Sequence, residues 1–411
     1  MKLQEYITDI AVGPFGSNLK VSCFVEKGFP IIDGANLKGY KVTDNITKFV
    51  TEEKARSLHR SIAKRGDIVV TISGNVGQIS YIPDDSEYEE YLVSQRQFRA
   101  SFDRDKVNVA YLVYYFHTRE GQYKILSFAN QVGVPALAQP LKNFRNIEIE
   151  LPSKKEQDFI AAYIDNIEDK IAVNRRICEN LEAQAQALFK HWFIDFVPFK
   201  NGQFVESELG MIPEGWRVGK FTDIFDLGSG GTPKTSEKLY WEDGSIPFFS
   251  PKDVNGVYCF DTEKHITEKG LNNCSSSLYS KNTVFITCRG TVGKVAMAAV
   301  PMAMNQSNYA ILSNKGYSQY FAYLMTVSIV KKLKFKANGA VFDAITSKDF
   351  KEQIIIPNLN VVNRFDSIIQ PIFDNILNIG FENLRLSALR DTLLPKLMSG
   401  QIKVNEVEKS L

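Results

Sequence analysis

Two short turns in this chain carry side chains that could read a nucleic acid. One contains Asn75 and Gln78, and the other contains Arg289, Thr291 and Lys294. Arg, Asn and Gln make paired hydrogen bonds to base edges, whereas Lys, Ser and Thr commonly hold phosphates. The glycines in these turns permit either a close approach of the backbone to a ligand or simply a tight hairpin. The residue types therefore indicate, without requiring, a surface that recognises bases.

Two further segments have the same chemistry. The first contains Gln95, Arg96 and Gln97, and the second contains Asn305 and Gln306. Their amides and guanidinium group match the donor and acceptor pattern of the major groove. We therefore predict that these residues and the two turns form the DNA-contacting positions of the chain.

Any surface that binds a polyanion must be local, because the net charge of the chain is only +2. Basic residues cluster within 56–65, within 96–106 and again within 331–336. Each cluster could support binding to phosphates, or could simply form a solvated face.

The sequence contains no complete catalytic motif. The segment GTVGK at 290–294 resembles the end of a phosphate-binding loop, but Val295 stands where a magnesium-binding Ser or Thr would be. In LGSGGTP at 227–233, Pro233 replaces the third glycine of a dinucleotide fingerprint, so both segments are interpreted as turns. The histidines have no neighbours at metal-ligand spacing; they are His59, His117, His191 and His265. We predict that the chain binds no metal and catalyses no reaction alone.

Two segments with regularly spaced apolar residues, here called ladders, predict the helices that position these candidate residues. In both ladders, apolar side chains recur at alternating steps of three and four residues, which predicts one seam of a long helix. The first consists of Ile160, Ile164, Ile167, Ile171, Leu181, Leu188 and Trp192, and the second of Ile369, Ile372, Ile376, Ile379, Leu386, Leu393 and Leu397. A sustained seven-residue repeat requires a partner helix. We predict that the two helices pair with each other, the alternative being two unrelated helices on separate cores. Pro371 is expected to start or kink the second helix.

The segments before the two ladders also resemble each other. Residues 66–79 match residues 282–295, with Thr, Gly, Val and Gly in register, and residues 30–37 match residues 247–254. Further weak matches follow in the same order, which indicates an internal duplication. The predicted fold class is α+β: two tandem mixed α/β domains, each followed by a long helix, with the helices packed as an antiparallel coiled coil.

Turn and capping residues give the predicted boundaries. Ser153 is expected to cap the first long helix, and the alternating segment NIEIEL at 146–151 is expected to be a strand. The predicted segments are a first domain at 1–152, a central helix at 153–197, a linker at 198–212, a second domain at 213–357, a C-terminal helix at 358–400 and a tail at 401–411.

Composition places the chain among ordinary globular proteins, with 44% hydrophobic and 23% charged residues. No apolar run reaches the length of a membrane-spanning helix. The five cysteines include no C-x-x-C pair, and no signal peptide is evident at the N-terminus. These features predict a cytoplasmic protein with reduced thiols.

Several segments resemble the specificity subunits of type I restriction-modification enzymes. SELGMIPEGWRV at 207–218, GSGGTPKT at 228–235 and IPFFSPKDV at 246–254 are similar to the opening of a target-recognition domain in that family. LEAQAQALFKHWFIDF at 181–196 and LRDTLLPKLMSGQI at 389–402 look like the ends of its central and C-terminal conserved helices. The resemblance covers the whole chain, although the N-terminus lacks the Pro-x-Gly-Trp lead-in of the second domain.

The resemblance implies a non-catalytic subunit that recognises double-stranded DNA, each domain reading one half of a bipartite target. It also implies that the helices set the spacer and dock two methyltransferase subunits, which restriction subunits join. S-adenosylmethionine, ATP and Mg are then expected on the partner subunits, and no cofactor on this chain. The alternatives are a scaffold with duplicated protein- or glycan-binding domains that does not bind DNA, and a methyltransferase with built-in recognition, against which the missing motifs argue.

Overall fold

The chain folds as two units, each of which includes one sheet-based domain and part of both long helices. Unit 1 comprises Met1–Asp169 and Ser387–Leu411, and unit 2 comprises Lys170–Leu386. Most of the predicted tail at 401–411 lies outside the described residues. The computed structural model describes residues 1–130, 134–313, 315–336 and 344–402.

Unit 1 contains two sheets built from short strands. The strands are β1 (Ile7–Val12), β2 (Phe24–Val25), β3 (Phe29–Ile32), β4 (Phe49–Val50), β5 (Ile62–Lys64), β6 (Ile68–Thr71), β7 (Ile79–Tyr81), β8 (Glu90–Val93), β9 (Gln97–Phe102), β10 (Ala129–Asn130) and β11 (Ala136–Leu137). The helices are α1 (Glu52–Ser57), α2 (Val109–His117), α3 (Arg119–Leu126), α4 (Pro140–Arg145) and the beginning of α5 (Lys154–Phe193). One sheet has the order β1-β9-β6-β7, and the other has the order β2-β4-β3-β8-β5. A separate two-stranded pair is formed by β10 and β11.

The core of unit 1 lies between the first of these sheets and α2. All four residues of β6 are buried, as the run of β-branched residues predicts for a central strand. Helix α2 is buried from Val109 to Phe116, and the side chain of Asn108 caps it by accepting a hydrogen bond from the amide of Tyr111 (3.0 Å). A cap of this kind satisfies one of the amides in the first turn that have no partner within the helix.

Unit 2 repeats this arrangement. Its strands are β12 (Phe204–Ser207), β13 (Gly210–Pro213), β14 (Arg217–Lys220), β15 (Phe225–Ser229), β16 (Ile246–Phe249), β17 (Tyr258–Cys259), β18 (His265–Ile266), β19 (Val284–Thr287), β20 (Val295–Ala298), β21 (Ala303–Met304), β22 (Asn308–Ser313) and β23 (Gln353–Ile356). Its helices are α6 (Glu268–Asn272), α7 (Gln319–Lys336) and most of α8 (Leu359–Met398).

The sheet topology confirms the duplication. The order β15-β22-β19-β20 in unit 2 repeats the order β1-β9-β6-β7 in unit 1, with antiparallel neighbours throughout. A second correspondence is the parallel pair of β16 with β21, which repeats the parallel pair of β3 with β8. The weak sequence matches therefore reflect one fold used twice.

The two copies differ at one sheet edge. In unit 2, β23 pairs with β14 over four residues. In unit 1 the segment 146–151 makes only an isolated bridge, between Lys2 and Glu148, so the predicted strand is wrong. The physical reason is that its partner segment turns into a 3-10 helix at Leu3–Glu5 and leaves the edge after one residue pair.

The first long helix begins as predicted and ends slightly early. The amide of Glu156 donates to Ser153 Oγ (3.3 Å), while the carboxylate of Glu156 accepts from the amide of Ser153 (3.0 Å), which is a complete capping box. The last residue of α5 is Phe193, and Phe196 has a left-handed backbone (φ 51°) that no α-helix can contain. The predicted linker at 198–212 is not irregular throughout, because it contains the hairpin of β12 and β13.

Helix α8 runs through Pro371, which was expected to start or kink it. The helix begins at Leu359, close to the predicted boundary, and Pro371 lies exposed within it, so the proline does not start the helix. A proline inside a helix loses one backbone hydrogen bond and costs about 3 kcal/mol. Burial of neighbouring apolar side chains, including the fully buried Phe365, Ile369 and Phe373, offsets this cost.

The long helices pair in opposite directions. In unit 2, Asn174 donates a hydrogen bond to Asn383 (2.8 Å), and further along α5 the ring of Phe193 packs on that of Phe365 (centroids 4.8 Å apart). A later residue of α5 thus meets an earlier residue of α8, which confirms the predicted antiparallel coiled coil. In unit 1, Arg390 of α8 is hydrogen-bonded to Glu168 of α5.

The ladder residues differ in burial. The buried ones are Ile160, Ile164, Ile167, Ile171, Ile369, Ile376 and Leu397. The half-buried ones are Leu181, Leu188, Trp192, Ile372, Ile379, Leu386 and Leu393. Buried aromatic residues outside the predicted seam, such as Phe189, make a second face of the helix, because Phe189 also packs on Phe321 of α7 (centroids 5.8 Å apart). Among the described residues, no helix combines the length and apolar character needed to cross a bilayer.

We predict that Gly380→Ala destabilises the protein, although Ala is favoured over Gly in a helix by about 1 kcal/mol. A Cβ at Gly380 would lie 1.9 Å from Cζ of Phe260, whose ring packs on Phe381 (centroids 5.1 Å apart). The clash should lower the free energy of unfolding by about 1–3 kcal/mol, measured by denaturant titration. When Phe260→Ala is already present, adding Gly380→Ala should cause no further loss of stability. Gly39→Ala is the control, because its Cβ would meet nothing within 4 Å. A Gly380→Ala variant as stable as the parent would contradict this packing.

Candidate nucleic-acid interface

Loops at one edge of unit 2 converge on an open cavity of about 460 Å³. The cavity is lined from 232–235, 248–252, 263–264, 289–291 and 305–307. Two of these segments carry residues that the sequence predicted to contact DNA. The duplicated fold brings them together because the turn between β19 and β20 and the turn between β21 and β22 leave the sheets at the same edge.

The predicted residues of unit 2 do not all point into this cavity. Arg289 and Thr291 are exposed in the hairpin turn between β19 and β20 and line the cavity, as does the half-buried Asn305. Gln306 stands beside it and accepts a hydrogen bond from the hydroxyl of Thr232. Lys294 is the exception, because its ammonium group turns back to donate to the carbonyl of Val254 (3.4 Å).

The glycine-rich segment at 227–233 packs against this site. A Cβ at Gly230 would lie 2.2 Å from the carbonyl oxygen of Asn305, and the amide of Gly231 donates to the carbonyl of Met304 (3.1 Å). Only glycine permits so close an approach of two backbones. The interpretation of this segment as a turn is therefore only partly correct, because residues 227–229 end strand β15 and residues 230–233 form the loop that follows it. The same approach occurs in unit 1, where a Cβ at Gly13 would lie 1.9 Å from the carbonyl oxygen of Ser94.

Unit 1 brings the corresponding loops together. A Cβ at Gly16 would lie 2.7 Å from Oε1 of Gln95, and one at Gly34 would lie 3.3 Å from Oε1 of Gln78. The loops after β1, β3 and β6 and the turn before β9 therefore meet at one edge. Within this group Asn75, Gln95 and Arg96 are exposed, and Gln78 is half-buried.

Gln97 is different, because it is almost fully buried. Its amide donates to Thr71 Oγ1 (3.4 Å), and its carbonyl oxygen accepts from the hydroxyl of Ser94. Both halves of the amide thus bind the protein itself. In this arrangement Gln97 holds the turn that presents Gln95 and Arg96, and it does not present its own amide.

The basic clusters of unit 1 are largely neutralised by acidic neighbours. Arg56 pairs with Glu90, and Arg104 pairs with Asp84 (2.6 Å). Arg99 is itself buried. The interpretation of these clusters as ordinary paired or solvated surface is therefore favoured over a basic stripe.

In contrast to these paired residues, one arginine in each unit is unpaired at the edge where the loops meet, which we call the loop edge. The guanidinium groups of Arg96 in unit 1 and Arg289 in unit 2 make no ion pair or hydrogen bond with any other residue that the structure describes. At the same edge of unit 1, Asp33 is held by Lys48 (2.6 Å). Burial opposes ionisation of Asp33, but the hydrogen bonds from Lys48 and from the amide of Ala35 lower the pKa of its carboxyl below the usual range. Each edge thus leaves an arginine open to an external acceptor.

The cysteine beside Arg289 is not reactive. Burial raises the pKa of the Cys288 thiol to about 12, which keeps it protonated near neutral pH. In the parts of the chain that the structure describes, no group of three or more His, Cys, Asp or Glu side chains is arranged to hold a metal ion.

Several residues that line the cavity of unit 2 were missed by the sequence analysis. They are Thr232, Trp241, Lys252, Glu263 and Lys264. The repeat between 30–37 and 247–254 placed Lys252 in a matched segment. Glu263 and Lys264 directly precede β18, which pairs with β16 as β4 pairs with β3, but this segment was not among the sequence matches.

The fold and the loop edges define a duplicated protein with two similar polar surfaces and a pair of antiparallel helices. The chain belongs to the family described as the type I restriction modification DNA specificity domain, whose model matches residues 18–183 and 213–389.

Relatives of known type span most of the chain. The MjaIX type I restriction enzyme specificity subunit of Methanocaldococcus jannaschii is 29% identical over 365 residues, covering 87% of this chain and 82% of its own length. The HindI specificity subunit of Haemophilus influenzae is 26% identical over 403 residues, covering 82% of this chain and 87% of its own length. The crystal structure of the type I S subunit from M. genitalium shares the fold, with a TM-score of 0.53 and 15% identity over 97% of this chain and 95% of that one.

We predict that Arg289→Ala changes DNA recognition in one of two distinguishable ways. If Arg289 reads a base, discrimination at one position should relax, by roughly tenfold or more. If it holds a phosphate, affinity should fall evenly across sequences, and the dependence on salt should weaken. Competition binding with duplexes substituted at each position measures both effects. Arg289→Lys is the matched control, since it keeps the charge but not the paired hydrogen bonds. Unchanged affinity and unchanged discrimination would remove Arg289 from the interface.

Proposed function

We propose that this chain is the DNA-recognition subunit of a type I restriction-modification complex, and that each loop edge reads one half of a bipartite target in double-stranded DNA. The observation that supports this most directly is the recurrence of the same loop edge in both units with different exposed side chains. Unit 1 offers Asn75, Gln95 and Arg96, whereas unit 2 offers Arg289 and Asn305. Two similar frames with unlike side chains suit a target whose halves differ in sequence.

The paired helices supply the second part of the proposal. They set the length of unread DNA between the two half-sites, and they dock two methyltransferase subunits, which restriction subunits join. The duplication supports this because it presents two similar outer surfaces, enough for two copies of one partner. The buried contact of Asn174 with Asn383 supports a single register for the helix pair.

The chain itself carries out no chemistry in this proposal. S-adenosylmethionine, ATP and Mg bind to the partner subunits, and the complex acts in the cytoplasm. The absence of a methyltransferase motif in the sequence supports a recognition role rather than a catalytic one. The alternative of a scaffold that does not bind DNA has no specific observation in its favour.

The direct test is to sequence modified bases in a host that expresses the complete system with this chain. One bipartite motif with a fixed gap should be modified, and the modification should disappear when this chain alone is deleted. Restoring the chain on a plasmid is the control. Modification that persists without the chain, or a motif with no gap, would contradict the proposal.

A second test changes the helices. Inserting one whole heptad into α5 and one into α8, both in unit 2 and opposite each other, preserves the apolar seam while lengthening it. The added seven residues correspond to about 10 Å of helix rise, or roughly three base pairs of B-form DNA. The modified motif should keep both half-sites and gain a longer gap. Insertions of four residues, which break the seam, are the matched control and should abolish modification. An unaltered gap after heptad insertion would reject the role of the helices.

A further inference from the structure

Glu263 stands out in the cavity of unit 2 because it is the one acidic residue among the described residues that line it. The other charged residues that line the cavity are Lys252, Lys264 and Arg289. If this cavity faces DNA, a carboxylate in it repels phosphates and must have a different partner. Its function therefore requires a separate explanation.

Internal hydrogen bonds leave mainly donors open at this site. The side-chain oxygen of Asn305 accepts from the amide of Ser307 (2.9 Å) and from Nδ2 of Asn308 (2.7 Å), so the NH2 group of Asn305 remains available. The side-chain oxygen of Gln306 is likewise occupied by the hydroxyl of Thr232. The open groups are thus ammonium, guanidinium and amide donors, together with the carboxylate of Glu263 as the strong acceptor.

The backbone of Glu263 is held by a hydrogen bond, whereas its carboxylate makes one long ion pair. Its backbone amide donates to Oδ1 of the buried Asp253 (2.9 Å), and the other carboxylate oxygen of Asp253 accepts from Ser250 (2.7 Å). The only ion pair of the Glu263 side chain among the described residues is with Lys252 at 3.9 Å, and both side chains are more than half exposed. Such a pair contributes little and is easily exchanged for another partner.

We infer that Glu263 is a specificity-determining residue, which accepts a hydrogen bond from the N4 amino group of a cytosine in the half-site read by unit 2. Arg289 lines the same cavity and donates to guanine O6 and N7, so the two residues together suit a half-site that contains G·C pairs. A carboxylate accepts from cytosine N4 in the major groove, and guanine and thymine offer it no donor there. Adenine also presents an amino group, but its N7 acceptor lies beside that group and repels a carboxylate, so cytosine is the base that suits Glu263. This inference rests on the proposed function and names the base chemistry of one of its two sites.

The test is Glu263→Gln in the full chain, expressed with the complete system, with the modified motif read by sequencing. One position of one half-site, occupied by cytosine with the unaltered chain, should lose its preference by roughly tenfold to a hundredfold, because glutamine no longer requires an amino group. The other half-site and the gap should be unchanged. Glu263→Asp keeps the carboxylate and should keep the cytosine. Glu268→Gln is the matched control, since Glu268 is exposed in the same unit and does not line the cavity.

The outcomes separate the inference from the proposal on which it rests. A motif that is unchanged by Glu263→Gln, or changed at a position that is not cytosine, would overturn the role of Glu263 and leave the proposed function intact. The absence of any bipartite motif with the unaltered chain would contradict the proposed function, and the inference with it. Because the side chain of Glu263 makes only one weak contact, the glutamine variant should unfold at the temperature of the parent, and thermal unfolding checks this.

Discussion

A buried amide in the helix seam constrains much of this structure. Asn174 is almost fully buried, and its NH2 group contacts both Asn383 Oδ1 and Glu382 Oε2 of α8 at 2.8 Å. An apolar residue at this position would stabilise the helix pair more, but it would tolerate several registers. The amide accepts only the register in which its partners are opposite it, since an unpaired buried amide is costly. The alignment of α5 with α8 therefore depends on a few polar atoms within an apolar seam.

Each sheet is attached to a long helix in the same way. In unit 1, Asn108 caps α2 and also donates to Asp158 of α5 (2.8 Å). In unit 2, Ser318 donates to Asp366 of α8 (2.7 Å), and its hydroxyl also accepts from the amide of Phe321 at the start of α7 (3.0 Å). In each unit, a single polar side chain thus lies at the start of the helix that packs on the sheet (α2 or α7) and joins that helix to a long helix (α5 or α8). The duplication preserved this contact while changing the residues that make it.

The sequence predicted those features that follow from periodicity and turn chemistry. The spacing of the ladders predicted both helices, and the Ser153 capping box marked where α5 begins. The end of α5 was predicted less well, because the residue with the left-handed backbone is Phe196, which packs on Trp216 (centroids 5.5 Å apart), and not a glycine that the sequence would reveal. The periodicity of the apolar residues predicted only one buried face of α5. The helix has a second buried face because it contacts two neighbouring helices.

The candidate site was predicted less completely, for a physical reason. Residues such as Asn75 and Arg289 lie in repeated turns and were found from the repeat. Whether a polar side chain faces outward depends on its internal hydrogen bonds, which the sequence does not display. Gln97 was predicted to contact DNA from its residue type, but its side-chain amide is already hydrogen-bonded to Thr71 and Ser94. Glu263 was missed although its loop recurs in unit 1, because the corresponding residue there, Thr47, has a different side chain.

The glycine contacts at the two loop edges have a consequence for how this protein can change over generations. Gly13 meets the backbone of Ser94, and Gly230 meets the backbone of Asn305, so main-chain atoms hold the loops in place. Side chains that project from such a frame contribute little to its stability. Substitutions among them can alter the preferred DNA sequence at small energetic cost, and a new specificity can arise without the invention of a new fold.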